Sequence, residues 1–278
     1  MRYPLRAVRA AGFFVPVVTG ALIISFATSA PQSEASSSSL YYTFNSPGVL
    51  QEAGSMREST SPYFWLNSGG TLTIKDGIGM TAQGELPEGS IWQRLYSLSS
   101  ALDTGGGTQP QNLFRLLSKS EWENVSQEVA FRVTKTNTVD SPNRDGWSGI
   151  LLMSRYQDGD NLYYAGIRMD GSAVIKKKQN GTYTTLAQER GVFSGLFDRL
   201  GLTPSLIPEN TWMRLKSVTK MNADGSIGIT LYLDRKNSGS WEKVLSATDS
   251  SPLSGGGHVG IRTDYMDVQF DNYRITEI

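Results

Sequence analysis

Tyr164 and Arg168 stand four residues apart in the stretch 161–169, and Lys176 and Lys178 stand two apart in 172–178. Even spacings put such residues on one face of an extended strand. A tyrosine beside cations can perform β-elimination on a uronic-acid polymer: the phenolate takes the C5 proton while the cations neutralise the sugar carboxylate. The same groups also suit binding without reaction, because flat rings stack on sugars and Arg and Lys pair with carboxylates or sulfates. Other alternating stretches add Glu128, Arg132, Tyr232, Arg262 and Asp264 to this polar set. The bland alternative is a solvated sheet face, charged to keep the chain soluble. Catalytic residues stay unassigned; if the chain eliminates, they are Tyr164, Arg168, Lys176 and Lys178. A retaining glycoside hydrolase needs two carboxylates about 5 Å apart; the sequence has no Glu-x-Asp-x-x-Glu run, and Asp158 and Asp160 flank Gly159 as turn formers. His258, the only histidine, follows three glycines and reads as a turn residue rather than a base. Trp92 is the tryptophan best placed as a sugar platform, while Trp65, Trp122, Trp147, Trp212 and Trp241 read as core or edge packing.

Short alternating runs must position these residues. Val129, Phe131 and Val133 alternate with Glu128, Ala130 and Arg132; Ile229, Leu231 and Leu233 alternate with Thr230, Tyr232 and Asp234; Met266, Val268 and Phe270 alternate with Asp267, Gln269 and Asp271. Each pattern describes a strand with one buried and one wet face. Further strands are expected at 71–74, 79–82, 92–97, 113–117, 147–156, 161–169, 172–178, 182–188, 211–219 and 241–248. Asp76-Gly77, Asp170-Gly171, Asn180-Gly181 and Asp224-Gly225 mark turns between them. Lys177 is out of phase with its neighbours and is expected on the opposite face near a sheet edge. About fourteen strands and no amphipathic helix predict an all-β, two-sheet antiparallel jelly-roll sandwich. Residues 191–208 are the exception, read as one short helix or an apolar loop packed on the sandwich.

The chain has 278 residues, with 26 Lys and Arg against 26 Asp and Glu, and no cysteine. The missing cysteines exclude disulfides, thiolate metal sites and a cysteine nucleophile. No basic bias or motif points to nucleic acid. Residues 1–30 are read as a signal peptide: Arg2, Arg6 and Arg9 precede an apolar run from Phe13 to Ala27, and Thr28-Ser29-Ala30 supplies small residues for cleavage. The alternative is an uncleaved N-terminal anchor, the chain's one expected contact with a membrane. Either way the remainder is expected to be secreted or extracytoplasmic. Residues 31–39 form a Ser-rich spacer expected to be disordered, and residues 40–278 a single domain.

The stretch from Trp147 to Leu186 resembles the central strands of concanavalin A-like lectin/glucanase domains, the laminin-G-like jelly rolls, in its Asp-x-x-Asn-x-Tyr-Tyr hairpin at 158–164 and its Arg-x-Asp-Gly turn at 168–171. The run from Trp212 to Leu215, the Ile229–Asp234 strand and the closing 268–275 strand (VQFDNYRI) are similar as well. The likeness covers roughly residues 120–278. It implies a jelly roll and does not fix an activity, since such folds host lectins, binding modules, hydrolases, lyases and adhesion domains. It also implies a structural calcium ion between the first and last strands, held here by Asn45 and Asp271, although the first of these positions more often carries an acid. The function expected is an exported carbohydrate-binding or cell-surface adhesion domain recognising an extracellular polysaccharide or surface glycan. The alternatives are a secreted polysaccharide lyase or glycoside hydrolase, or a structural envelope protein without a small ligand. Tyr163-Tyr164-Ala165-Gly166 is similar to a strand of alginate lyases, but their Gln-x-His strand has no counterpart.

Overall fold

A computed structural model describes residues 33–36 and 39–278. The expected signal peptide or anchor at 1–30 lies outside them. In chain order the strands are β1 (Ser33–Ser36), β2 (Ser39–Tyr42), β3 (Gly48–Gln51), β4 (Phe64–Ser68), β5 (Thr71–Lys75), β6 (Ile78–Thr81), β7 (Leu113–Trp122), β8 (Val125–Thr136), β9 (Gly149–Asp158), β10 (Asn161–Arg168), β11 (Ala173–Gln179), β12 (Thr182–Glu189), β13 (Met213–Met221), β14 (Ile227–Asp234), β15 (Glu242–Asp249), β16 (Gly257–Asp264) and β17 (Met266–Glu277). One helix, α1 (Ile91–Ser99), and a 3-10 turn at Pro110–Asn112 lie between β6 and β7. Among the described residues, no helix is long and apolar enough to cross a membrane.

The strands form two antiparallel sheets. The ten-stranded sheet runs β15-β14-β13-β8-β17-β6-β5-β3, with β2 also beside β17 and β1 on β2. The seven-stranded sheet runs β12-β11-β10-β9-β16-β7-β4. Alternation explains the packing: Val129, Phe131, Val133, Leu231 and Phe270 from the first sheet meet Phe114, Ile150, Tyr163, Ala165 and Ile167 from the second in one core. Phe114 and Phe270 stack across it at 5.7 Å. The architecture is the two-sheet antiparallel sandwich that the resemblance implies.

Several expectations change. The stretch 92–97 is helical, not extended. Ile91, Leu95 and Leu98 repeat at helical spacing, and only Tyr96 is buried, its hydroxyl bridging the Gly69 N–H and the Glu52 carboxylate. Within the spacer expected to be disordered, Ser33–Ser36 forms a strand whose backbone pairs with β2. Of the two readings of residues 191–208, the apolar loop is the one found: Val192, Phe193 and Phe197 pack on the core and Ile207 is buried. His258 lies inside β16, not in a turn, opposite Tyr156 and Glu121. Lys177 does face away from Lys176 and Lys178, but into the sandwich: its Nζ lies 2.8 Å from Asp249 at the end of β15, and both side chains are almost wholly buried. The Tyr163 hydroxyl donates to Asp249 at 2.7 Å and accepts from the Leu253 N–H. This polar cluster joins the two sheets where their β11 and β15 sides meet.

Candidate functional site

The core-facing residues of β9, β10 and β11 are odd in β10 and β11, so Tyr164, Arg168, Lys176 and Lys178 all emerge on the outer face of the seven-stranded sheet. Tyr164 sits directly opposite Lys176 in the β10–β11 register. A second apolar layer floors this face: Leu151, Met153, Leu162 and Val174 are buried beside Tyr164.

Two cavities open on this face, one of about 620 Å³ and one of about 410 Å³, and Trp147 and Lys176 border both. Tyr164, Tyr183, Arg262 and Asp264 line the larger; Arg168, Asp170, Gln188 and Arg190 line the smaller. Trp147 is 66% exposed, unusual for so large a ring. Its loop is nonetheless fixed: Ser148 N–H donates to the Asp145 carbonyl at 2.9 Å, and Asp170 N–H to the Gly146 carbonyl at 3.1 Å. Gly146 is required there, since a Cβ would lie 2.9 Å from the Asp170 Cβ. The Lys176 ammonium rests 5.7 Å from the Trp147 ring centre and 5.5 Å from that of Tyr183. Burial pushes the Lys176 ammonium below its ordinary value, and neighbouring Arg168 lowers it further. Arg262 is paired within the site, its Nε 2.9 Å from Asp264. That carboxylate holds the guanidinium well above its ordinary value. Lys178 lies farther out, bound to Asp160 at 2.9 Å.

Burial pushes the Tyr164 phenol up to about 12, against a smaller opposing pull from Arg262. A tyrosine acting as a base must first lose its proton, and this environment resists that. Tyr164 lines the larger cavity, and its burial disfavours the phenolate form that a base requires. The Tyr164→Phe variant is expected to lose no more than about tenfold in glycan affinity, a neutral hydrogen bond being worth about 0.5–1.5 kcal/mol, and neither protein should generate unsaturated uronate absorbance from a uronate polymer. Appearance of that absorbance with the parent, and its loss with the variant, would overturn this assignment.

The remaining residues expected at a glycan site do not converge here. Glu128, Arg132 and Tyr232 emerge on the outer face of the ten-stranded sheet, across the core. There Glu128 pairs with Arg214 at 2.7 Å, Arg132 stacks on Trp212 at 5.0 Å, and Tyr232 lies under Lys216 at 4.9 Å. Trp92 is on α1, its indole N–H donating to Gln51 at 2.7 Å, and it borders neither cavity. One set of alternating residues thus divides between two faces, because a period of two says nothing about which sheet a strand joins. Trp147, Tyr183 and Arg190 were missed. The sequence signal for Trp147 was its place in the polar loop Asp145-Gly146-Trp147-Ser148, where no core is close.

Asn45 and Asp271 do come together. Both line a cavity of about 480 Å³ with Thr43, Asp76, Asn237 and Asn272. The side-chain oxygens of Thr43, Asn45, Asp76 and Asp271 suit a hard cation, while the Asn272 side-chain amide N–H donates to Asp271 at 2.7 Å. Burial pushes the Asp271 carboxyl up, only partly offset by the Asn272 N–H. Among the described residues it has no basic partner, and Thr43 Oγ1 is buried without a hydrogen bond. Among them, too, no three His, Cys, Asp or Glu side chains converge.

No protein-family model matches the chain, and no curated relative matches it. Among solved structures it is similar to a carbohydrate-binding module, CBM66, from Bacillus subtilis, at 18% identity over 59% of this chain and 82% of that one, with a TM-score of 0.42. It is similar to a mutant of the GH43 protein BlXynB from Bacillus licheniformis, at 10% identity over 86% of this chain and 39% of that one, TM-score 0.47. It is also similar to the exoplasmic/lumenal domain of VIP36 in a Ca2+/Man-bound form, at 10% identity over 83% of this chain and 89% of that one, TM-score 0.47.

Proposed function

We propose that this chain is a carbohydrate-binding domain whose site is the outer face of the seven-stranded sheet around Trp147. The observation that carries the reading is a rigidly tethered, 66% exposed indole standing between two cavities lined by tyrosines and cations. An exposed ring costs solvation unless something covers it, and a pyranose face is apolar enough to do so while its hydroxyls reach the polar rim. Binding is favoured over elimination because Tyr164, the tyrosine directly opposite Lys176, is pushed by burial toward its protonated form. A glycan array, followed by calorimetric titration of the best polymers, tests the reading. If the calcium-loaded protein retains no glycan of any class, the site has another purpose.

In the same proposal, Asp271 and Asn45 hold a structural Ca²⁺, with Asp76 the nearest further carboxylate on that cavity. The ion would offset the poorly solvated Asp271 charge and tie the loop after β2 to β17. Calcium at a hundredfold over its Kd should add about 2.7 kcal/mol of stability, a rise in Tm of roughly 5–11 °C for a domain of this size. Chelator should reverse it, and Asp271→Asn should abolish the response. An unchanged Tm in millimolar calcium would remove the ion from the proposal. The export segment read at 1–30 would place this domain beyond the cell membrane, which fractionation of the tagged full chain checks.

A further inference from the structure

Arg168 is 3% exposed, yet it borders the smaller cavity. Its Nε is buried without a hydrogen-bond partner, and none of the ion pairs among the described residues includes it. The Arg155 Nε is likewise unbonded, but the guanidinium ends of the other two buried arginines are provided for. Arg155 donates to the carbonyls of Leu253, Gly255 and Glu123, and Arg144 to those of Val139 and Arg199. The nearest acid on the Arg168 cavity, Asp170, instead accepts from the Ser172 N–H and hydroxyl. Lys176 lies close enough to Arg168 to feel its charge, and Arg190 adds a third cation to the wall.

A buried guanidinium beside a half-buried ammonium, with the one acid on the cavity turned toward Ser172, is costly to leave without a counter-charge. The arrangement is stable when an oxyanion enters, because a guanidinium offers paired N–H groups that match a carboxylate or sulfate. We infer that the glycan bound at Trp147 carries an anionic substituent, the carboxylate of a uronic acid or a sulfate ester, and that Arg168 receives it while Trp147 covers the sugar ring. This rests on the carbohydrate-binding reading above and narrows its ligand class to acidic polysaccharides.

The test titrates the full chain with polygalacturonate, dextran sulfate and neutral dextran by calorimetry in physiological salt. The parent is expected to bind at least one anionic polymer and to bind neutral dextran far more weakly. Arg168→Gln should weaken the anionic interaction roughly 10–100-fold, the worth of a charged hydrogen-bonded contact. Gln188→Glu offers a second route that does not empty a buried position. It places a carboxylate on the same cavity, and it should raise Tm while weakening the anionic polymer. The two acids distinguish the anion: uronate-selective binding points to a carboxylate, and sulfate-selective binding to an ester. Equal affinity for neutral and anionic polymers, or anionic binding that both variants leave unchanged, overturns the inference while leaving carbohydrate binding intact. Absence of binding to every polymer, neutral ones included, instead defeats the carbohydrate reading itself.

Discussion

The Lys177→Met variant loses about 3–5 kcal/mol of stability, the cost of leaving one member of a buried ion pair without the other. For a domain of this size that is a fall in Tm of roughly 6–20 °C. The reason is position. Asp249 and Lys177 are both nearly inaccessible and join opposite sheets. Burial pushes the Asp249 carboxyl up, but hydrogen bonds from Lys177, Tyr163 and the Ser251 N–H, together with the lysine's charge, outweigh it and hold the carboxyl below its ordinary value. A depressed carboxyl contributes its full stability above an unfolded value of about 4, and loses it as pH falls through the folded value. Methionine removes the strongest of those opposing groups, so the variant's carboxyl rises. The gap between parent and variant should therefore be widest at neutral pH and narrow below about pH 4. Adding Asp249→Leu to Lys177→Met should recover much of the loss, because an apolar pair in such a place is often neutral or better. Urea melts at pH 7 and pH 3.5 measure all three. A loss under about 1 kcal/mol, the size of an exposed pair, or a gap constant between the two pH values, would show that water screens the pair.

The second large effect is on binding. Trp147→Ala is expected to weaken the bound glycan by about 2–4 kcal/mol, the range for an aromatic anchor at the centre of an interface, or roughly 30–1000-fold in Kd. Stability should change by no more than about 0.5 kcal/mol, since the ring is mostly in water and its loop is held by backbone hydrogen bonds. Trp92→Ala is the matched control: its ring belongs to another cavity, so affinity should be unchanged. Calorimetry on the polymer selected by the array decides it. Equal losses from both tryptophans, or none from Trp147, would move the site off this face.

Much of the sandwich was legible because its strands alternate cleanly. Val129, Phe131 and Val133 announce their inward face without help, and so do Leu231 and Phe270. Residues 91–99 were not legible in that way, since Ile91, Trp92, Leu95, Tyr96 and Leu98 satisfy a short extended run as well as a helix. The helix prevails because Tyr96 reaches back to Gly69 and Glu52, a contact far away in sequence. The site was half visible. Tyr164, Arg168 and Lys176 share a face because they share a hairpin, and hairpin register is local information. Glu128, Arg132 and Tyr232 have the same period but belong to the other sheet, and sheet membership is decided by packing between distant segments. Trp147 was hinted at only by its polar loop, because the cavities it borders are completed by β11 and β12, which are distant in sequence.

The placement of β17 bears on how this molecule is assembled. It is the latest strand in chain order, yet it lies between β8 on one side and β2 and β6 on the other. Until it arrives, the larger sheet exists as three fragments with raw, unpaired margins, and the phenylalanine that meets Phe114 is missing. Such contacts span most of the polypeptide, so closure is slow and late. A half-made molecule would invite strand exchange with its neighbours, which makes chaperone protection during synthesis more valuable here than in a fold completed hairpin by hairpin.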